Sequence, residues 1–123
     1  MAEESASEFT DAEYHEHANA ALAAIEAHID RWLDDDLIDI DSHRTGGLLE
    51  LALPNGSKLI INTQPPLHEL WLAAKAGGFH FRLHPPGRWL DTKDGVEFFQ
   101  RLSEQASAQS GKALTFTAPR LSR

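Results

Sequence analysis

The chain has 123 residues, is 41% hydrophobic and carries a formal net charge of −8. That suffices for one domain with a modest core and is too hydrophobic for a disordered chain. Cysteine is absent and no apolar run reaches ~18 residues, which excludes disulfides, thiolate metal sites, a Cys nucleophile and a membrane-spanning helix.

The start, MAEESASEF, is acidic and lacks an apolar stretch, so it does not read as a signal peptide, and a cytoplasmic location is expected. The charge is unevenly spread. Residues 1–50 hold 14 of the 19 acids against only Arg31 and Arg44, a balance of −12, while residues 51–123 balance at +4. Such a field repels nucleic acid and anionic lipid and attracts cations or a basic protein surface. Neither a nucleic-acid nor a membrane partner is expected.

Residues 1–9 read as a loose tail, 10–118 as a single domain and 119–123 as a second short tail. Thr10 and Glu13 have capping-box spacing and open a first helix, whose apolar face is Tyr14, Ala18, Ala21, Leu22, Ile25, Ile29 and Trp32. The period then changes. Ile38 and Ile40 alternate with Asp39 and Asp41, which predicts a strand with one wet face. Gly46-Gly47 marks a turn, Leu49, Leu51 and Leu53 alternate, and Asn55-Gly56 predicts a hairpin into Leu59 and Ile61. Pro65-Pro66 ends that strand. LHELWL follows, then a turn at Gly77-Gly78, alternation at Phe79, Phe81 and Leu83, a Pro85-Pro86-Gly87 turn and a short strand near Trp89. A second helix is expected from about Asp94, with Glu97 as capping partner, a stripe of Val96, Phe99, Leu102 and Ala106, and Gly111 at its end. Leu114 and Phe116 can dock on the core. The order implies an α+β fold: a two-layer sandwich in which an antiparallel sheet of five to six strands packs against N- and C-terminal helices.

Several catalytic patterns fail on geometry. His68-Glu69 begins like HExxH, but position 72 is Leu. His80 and His84 lie roughly 13 Å apart on a strand, too far to share a metal. His15 and His17 point to different sides of a helix. No glycine-rich phosphate loop and no GxSxG occurs. No hydrolase or nucleotide chemistry is expected, and the protein reads as a non-enzyme.

Two surfaces remain. On the outer side of the first helix, Glu16, Asn19, Ala23, Glu26, Asp30 and Asp34 form a stripe, and Glu26, Asp30 and Asp34 repeat every four residues. Like charges at that spacing cost a few tenths of a kcal/mol per pair, and acids near a helix C-terminus oppose its dipole. Asp35, Asp36, Asp39 and Asp41 continue the ridge. Carboxylates are hard ligands suited to Mg²⁺, Ca²⁺, Mn²⁺ and iron; His15 could add a nitrogen, and binding on an open ridge is expected to be weak, multiple and salt-sensitive. The alternative is a merely solubilising face. On the sheet, if Leu59, Ile61, Leu70 and Leu72 face the helices, then Lys58, Ile60, Asn62, Glu69 and Trp71 face water. An outward tryptophan suggests a contact anchor, the alternative being partial burial under a neighbour.

The segment NGSKLIINTQPPLHELWLAAKAGGFHF, residues 55–81, together with the acidic first helix, the Gly46-Gly47 turn and the second helix, resembles the frataxin family in its bacterial, CyaY-type branch. The resemblance implies the same sandwich, Fe²⁺ and Fe³⁺ binding on the ridge, and docking on the cysteine desulfurase of iron–sulfur cluster assembly. Carried over, the metal residues are His15, Glu26, Asp30, Asp39 and Asp41, with Asp34, Asp35 and Asp36 filling the turn. The partner-binding residues are Asn62, Gln64 and Trp71, with Glu69 beside them at a position usually Gln. Arg31, Leu33 and Thr63 also depart from the family pattern. A monomer is expected, with iron-dependent oligomers left open. An iron chaperone with ferroxidase activity, or an acidic interaction module without a metal role, are the competing functions.

Overall fold

The computed structural model describes residues 9–120. Helix α1 spans Asp11–Asp34. The strands are β1 Asp41–Thr45, β2 Leu48–Ala52, β3 Lys58–Gln64, β4 Glu69–Ala74, β5 Gly77–His84 and β6 Arg88–Asp91, and helix α2 spans Phe98–Ser110. All six strands form one antiparallel sheet in chain order, each paired with the next. The inner strand residues and the apolar stripes of both helices make a single core. This is the two-layer α+β sandwich expected.

The capping box at Thr10 and Glu13 is formed, with Glu13 N donating to Thr10 Oγ1 and Thr10 N to Glu13 Oε1. All seven expected apolar residues of α1 are buried, as are Leu49, Leu51, Leu59, Ile61, Leu70, Leu72, Phe81, Leu83 and Trp89 from the strands. Each such Leu, Ile or Phe contributes about 1.5–3 kcal/mol of burial. Leu114 and Phe116 are buried too. His28 holds this returning segment, with its Nε2 3.0 Å from Thr117 Oγ1 and its ring against Phe116. Phe9 is half-buried against the core, whereas 1–8 and 121–123, parts of the expected tails, lie outside the described residues.

Three boundaries differ from the expectation. Residues 37–40 are not a paired strand, and β1 begins at Asp41. Ile38 and Ile40 are still buried and Asp39 exposed, so the alternation reports burial along an extended connector rather than sheet pairing. Gly77 and Gly78 belong to β5; the turn falls on Lys75 and Ala76. Helix α2 starts at Phe98, not Asp94. Glu97 is itself the cap, accepting from Phe99 N and Gln100 N, each at 2.9 Å. Asp94 instead accepts from Val96 N and pairs with Arg101 at 2.6 Å. Val96 therefore precedes the helix, and Phe98, absent from the expected stripe, is fully buried.

Gln109 lashes two hairpins to α2. Its carbonyl accepts from Asn55 Nδ2, its side-chain oxygen from Lys75 N, and its amide donates to Ser57 Oγ. At Gly47 the backbone passes so close to Thr63 that a Cβ would strike the Thr63 hydroxyl, which explains the glycine.

Candidate functional site

The first surface is built where α1 ends. Asp34 is its last residue and Asp35 its C-cap. Asp36 follows with φ of 57°, a left-handed conformation that glycine ordinarily supplies. Its N–H donates to the Leu33 carbonyl at 3.1 Å and that of Leu37 to Trp32 at 2.9 Å, the two bonds of a Schellman termination. Aspartate tolerates this conformation better than most residues, yet glycine would be less strained. The chain thus places a carboxylate at a position the backbone would give to glycine.

Asp30, Asp34, Asp35, Asp36, Asp39 and Asp41 are all exposed. None of the six makes an ion pair among the described residues. Glu26 is different: Arg44 on β1 reaches it at 2.9 Å, and the same guanidinium donates to Asn19 at 3.3 Å. A second cation is near. Lys112 Nζ donates to the Leu37 carbonyl at 2.8 Å, one residue beyond Asp36. The counter-charges that are missing from the local sequence are therefore supplied from elsewhere in the fold, though to Glu26 and a carbonyl rather than to the aspartates. His15 is exposed on the same side of α1 as Glu26 but about 16 Å away along the axis. Among the described residues no three His, Asp or Glu side chains converge to hold one metal ion. The arrangement offers hard oxygen ligands one or two at a time, fitting a hydrated divalent cation and no closed cage.

The second surface is the sheet face turned away from the helices. Cross-strand register sets Asn62 beside Trp71, Trp71 beside His80, Gln64 beside Glu69, and Glu69 beside Arg82. Asn62, Gln64 and Trp71 are half-buried. Glu69, expected to face water, is only 4% exposed. The reason is a clamp. Trp71 Nε1 donates to Glu69 Oε1 at 2.8 Å and Arg82 to Oε2 at 3.0 Å. Both oxygens are engaged, so this carboxylate survives burial. The Trp71 indole lies flat on His80, with centroids 4.1 Å apart and planes 8° from parallel. Trp71 is thus neither core nor freely exposed: it lies along the sheet as a fixed plate.

Tyr14 supports the plate from the core side. Its hydroxyl donates to the Glu69 carbonyl at 2.6 Å and accepts from Gln64 N at 3.0 Å. Burial pushes its phenol up to about 12, the Gln64 N–H opposing that rise and the Glu69 charge adding to it.

The sequence model of the frataxin-like domain matches residues 7–112. The chain belongs to the frataxin family. The iron-sulfur cluster assembly protein CyaY of Polaromonas sp. is 53% identical over 110 residues, covering 89% of this chain and 94% of that protein. CyaY of Paraburkholderia xenovorans is 52% identical over 109 residues, covering 89% and 99%. A solved frataxin from Psychromonas ingrahamii superposes with a TM-score of 0.76 at 36% identity, covering 89% of this chain and 99% of that one. Trimeric frataxin from Saccharomyces cerevisiae, complexed with ferrous iron, gives 0.64 at 25% identity, covering 78% and 87%.

Within this frataxin fold, three site contributors escaped the sequence. Arg82 and His80 read only as alternating strand residues, and their pairing with Glu69 and Trp71 needs the β4–β5 register. Lys112 lies 75 positions from the carbonyl it bonds. No described helix of this frataxin-family chain is long and apolar enough to cross a membrane.

Proposed function

We propose that this protein is a non-enzymatic regulator of iron–sulfur cluster assembly that carries Fe²⁺ and Fe³⁺ on the ridge of Glu26, Asp30, Asp34, Asp35, Asp36, Asp39 and Asp41 and docks on the cysteine desulfurase. The observation that carries this reading is the row of six exposed aspartates along the end of α1 and the segment after it, none of them ion-paired among the described residues, in a chain whose CyaY relatives are named for iron-sulfur cluster assembly. Iron is cargo here, held by water and one or two carboxylates at a time, so binding is weak, multiple and lowered by salt. Other divalent cations compete for the same oxygens. His15 contributes at most a separate, distant ligand.

The ridge presents its negative field to a basic surface of the desulfurase. Asn62, Gln64 and Trp71 form a second contact for the assembly machinery, and Glu69 holds Trp71 rather than touching the partner. A ferroxidase centre must hold two irons together, and the splayed carboxylates do not favour one.

The test is an anaerobic Fe²⁺ titration followed by amide NMR, paired with a desulfurase activity assay with and without the protein and iron. Broadening across residues 26–41, little in 98–110, and an iron-dependent change in desulfurase rate are the expected results. One tight site affecting α2 would overturn the ridge as carrier. A desulfurase rate altered by the protein but indifferent to iron would leave an acidic docking module without a metal role.

A further inference from the structure

A cavity of about 560 Å³ opens beside the first turns of α1, lined by residues of that helix, the β5–β6 turn, the start of α2 and the returning C-terminal segment. From His17, which lines it, to Glu26, the first carboxylate of the proposed ridge, is roughly 14 Å along the helix, and no ridge residue lines the cavity. It does not include Trp71 or any other sheet-face residue named above. Its volume lies in the range of about 300–1,000 Å³ typical of small-molecule sites.

Its lining is mixed, with Trp89, Phe99, Pro86, Ala118 and Pro119 beside polar and charged side chains. Trp89 and Phe99 are buried. His17, 5% exposed, is set edge-on to Phe9 at 5.3 Å and packs so tightly on Gly87 that a Cβ there would strike the imidazole. The charges are one-sided. Arg88 and Arg120 line the cavity, are exposed, and have no ion-pair partner among the described residues. The one carboxylate, Glu97, has both oxygens taken by the first N–H groups of α2. What remains is a cavity lined by two aromatic rings and by two guanidinium groups that have no ion-pair partner among the described residues, the donor type that pairs with carboxylates in a two-bonded fork.

We propose that this cavity binds small organic monocarboxylates with an apolar body, the body resting on Trp89 and Phe99 and the carboxylate held by Arg88 and Arg120. The site is independent of iron and of the desulfurase.

The test uses the full chain, free of iron, titrated with phenylpropanoate and, separately, with its cationic counterpart phenylpropylamine. The three tryptophans report from three places: Trp89 from the cavity, Trp71 from the sheet face, Trp32 from the ridge end. Saturable shifts of Trp89 and Gly87 with phenylpropanoate are expected, with the amine at least about tenfold weaker, the factor for a lost charge-assisted hydrogen bond. An Arg88→Gln/Arg120→Gln variant should lower phenylpropanoate affinity by a similar factor at an unchanged melting temperature, because both side chains are exposed. Ala118→Trp, which fills the cavity from the exposed segment, should abolish the shifts. Equal binding of acid and amine, a double variant that binds like the parent, or shifts centred on Trp71 or Trp32 would overturn the proposal. None of these results bears on the ridge, since the titration contains neither metal nor partner.

Discussion

The ridge and the sheet face are both polar surfaces, but they are built in opposite ways. On the ridge the six aspartates are exposed and make no ion pair among the described residues, while Glu26 is paired with Arg44. On the sheet face Glu69 is buried and bonded through both oxygens, and the indole that donates to it lies flat on an imidazole. An open row of like charges repels itself, adapts to whatever cation arrives and binds loosely. A clamped aromatic is ordered in advance, so a partner that lands on it loses little further conformational entropy. If both surfaces dock as proposed, the ridge should govern association rate and salt dependence, and the sheet face residence time.

The comparison breaks first at Glu69. Glu69→Ala leaves the Trp71 indole N–H and the Arg82 guanidinium without their acceptor, and Arg82 already has a buried, unbonded Nε. The expected loss is about 2 kcal/mol, below the cost of a fully buried pair because Arg82 is partly exposed. Glu69→Gln keeps an acceptor for the indole and should cost less than about 1 kcal/mol. Chemical denaturation of the two variants checks this; equal costs would mean that the clamp does not order Trp71. Trp71→Ala is expected to weaken desulfurase or assembly-complex binding by at least about tenfold, the effect of a hot-spot aromatic, while costing less stability than the ~3–5 kcal/mol of a core tryptophan. Paired melts and binding at two ionic strengths separate these outcomes: a loss that grows at low salt would assign Trp71 to the ridge's kind of contact instead.

Tyr14 carries the next largest effect. Tyr14→Phe removes a hydroxyl bonded to Glu69 and Gln64 and should cost about 1 kcal/mol. Its folded pKa, about 12, lies above the ordinary 10.0. The contribution is then fully present below pH 10.0 and is lost as pH rises towards about 12, because only the unfolded chain releases the proton easily. The parent protein should therefore lose stability over that window faster than Tyr14→Phe does, as melts across alkaline pH will show.

These contrasts also mark what was legible in the sequence. Strand alternation and helical period located the core because burial leaves a local pattern: Tyr14 to Trp32 on α1, and Leu70 and Leu72 on β4, are buried as read. The exposure of the clustered aspartates was legible because clustering and helical period are local too. The clamp was not, since Glu69 meets Arg82 only through the β4–β5 register. The α2 start was misplaced because Asp94 and Glu97 both have capping chemistry; the fold gives Glu97 the cap and Asp94 to Arg101. The strand expected at 37–41 was displaced because Ile38 and Ile40 alternate inward without a neighbouring strand to pair with.

Asp36 is where the ridge and the backbone disagree most. With φ of 57° it occupies the glycine position of a Schellman end. Asp36→Gly should raise stability by up to about 1 kcal/mol by relieving left-handed strain. If the ridge is the iron carrier, the same variant should broaden less in the Fe²⁺ titration. A fall in stability would show that the Asp36 side chain contributes more to the turn than its exposure suggests.

The smallest effect is expected from the middle of the ridge. Asp30 lies four residues from both Glu26 and Asp34, so its charge faces like charge on either side along α1. Arg44 relieves only the Glu26 end of this row. Asp30→Asn keeps the shape and removes two repulsions, each worth roughly 0.2–0.5 kcal/mol in an isolated helix. Exposure and salt reduce the sum, so a gain of a few tenths of a kcal/mol at low ionic strength is expected, vanishing near molar salt where the Debye length falls to about 3 Å. Asp34→Asn should gain slightly more, because it also relieves the unfavourable helix-end dipole. Melts of both variants at low and high salt measure this. A loss above about 1 kcal/mol at either position, persisting in salt, is the size of a broken cap or buried contact. It would turn the ridge from a charged surface kept against stability into a structural element like the Glu69 clamp.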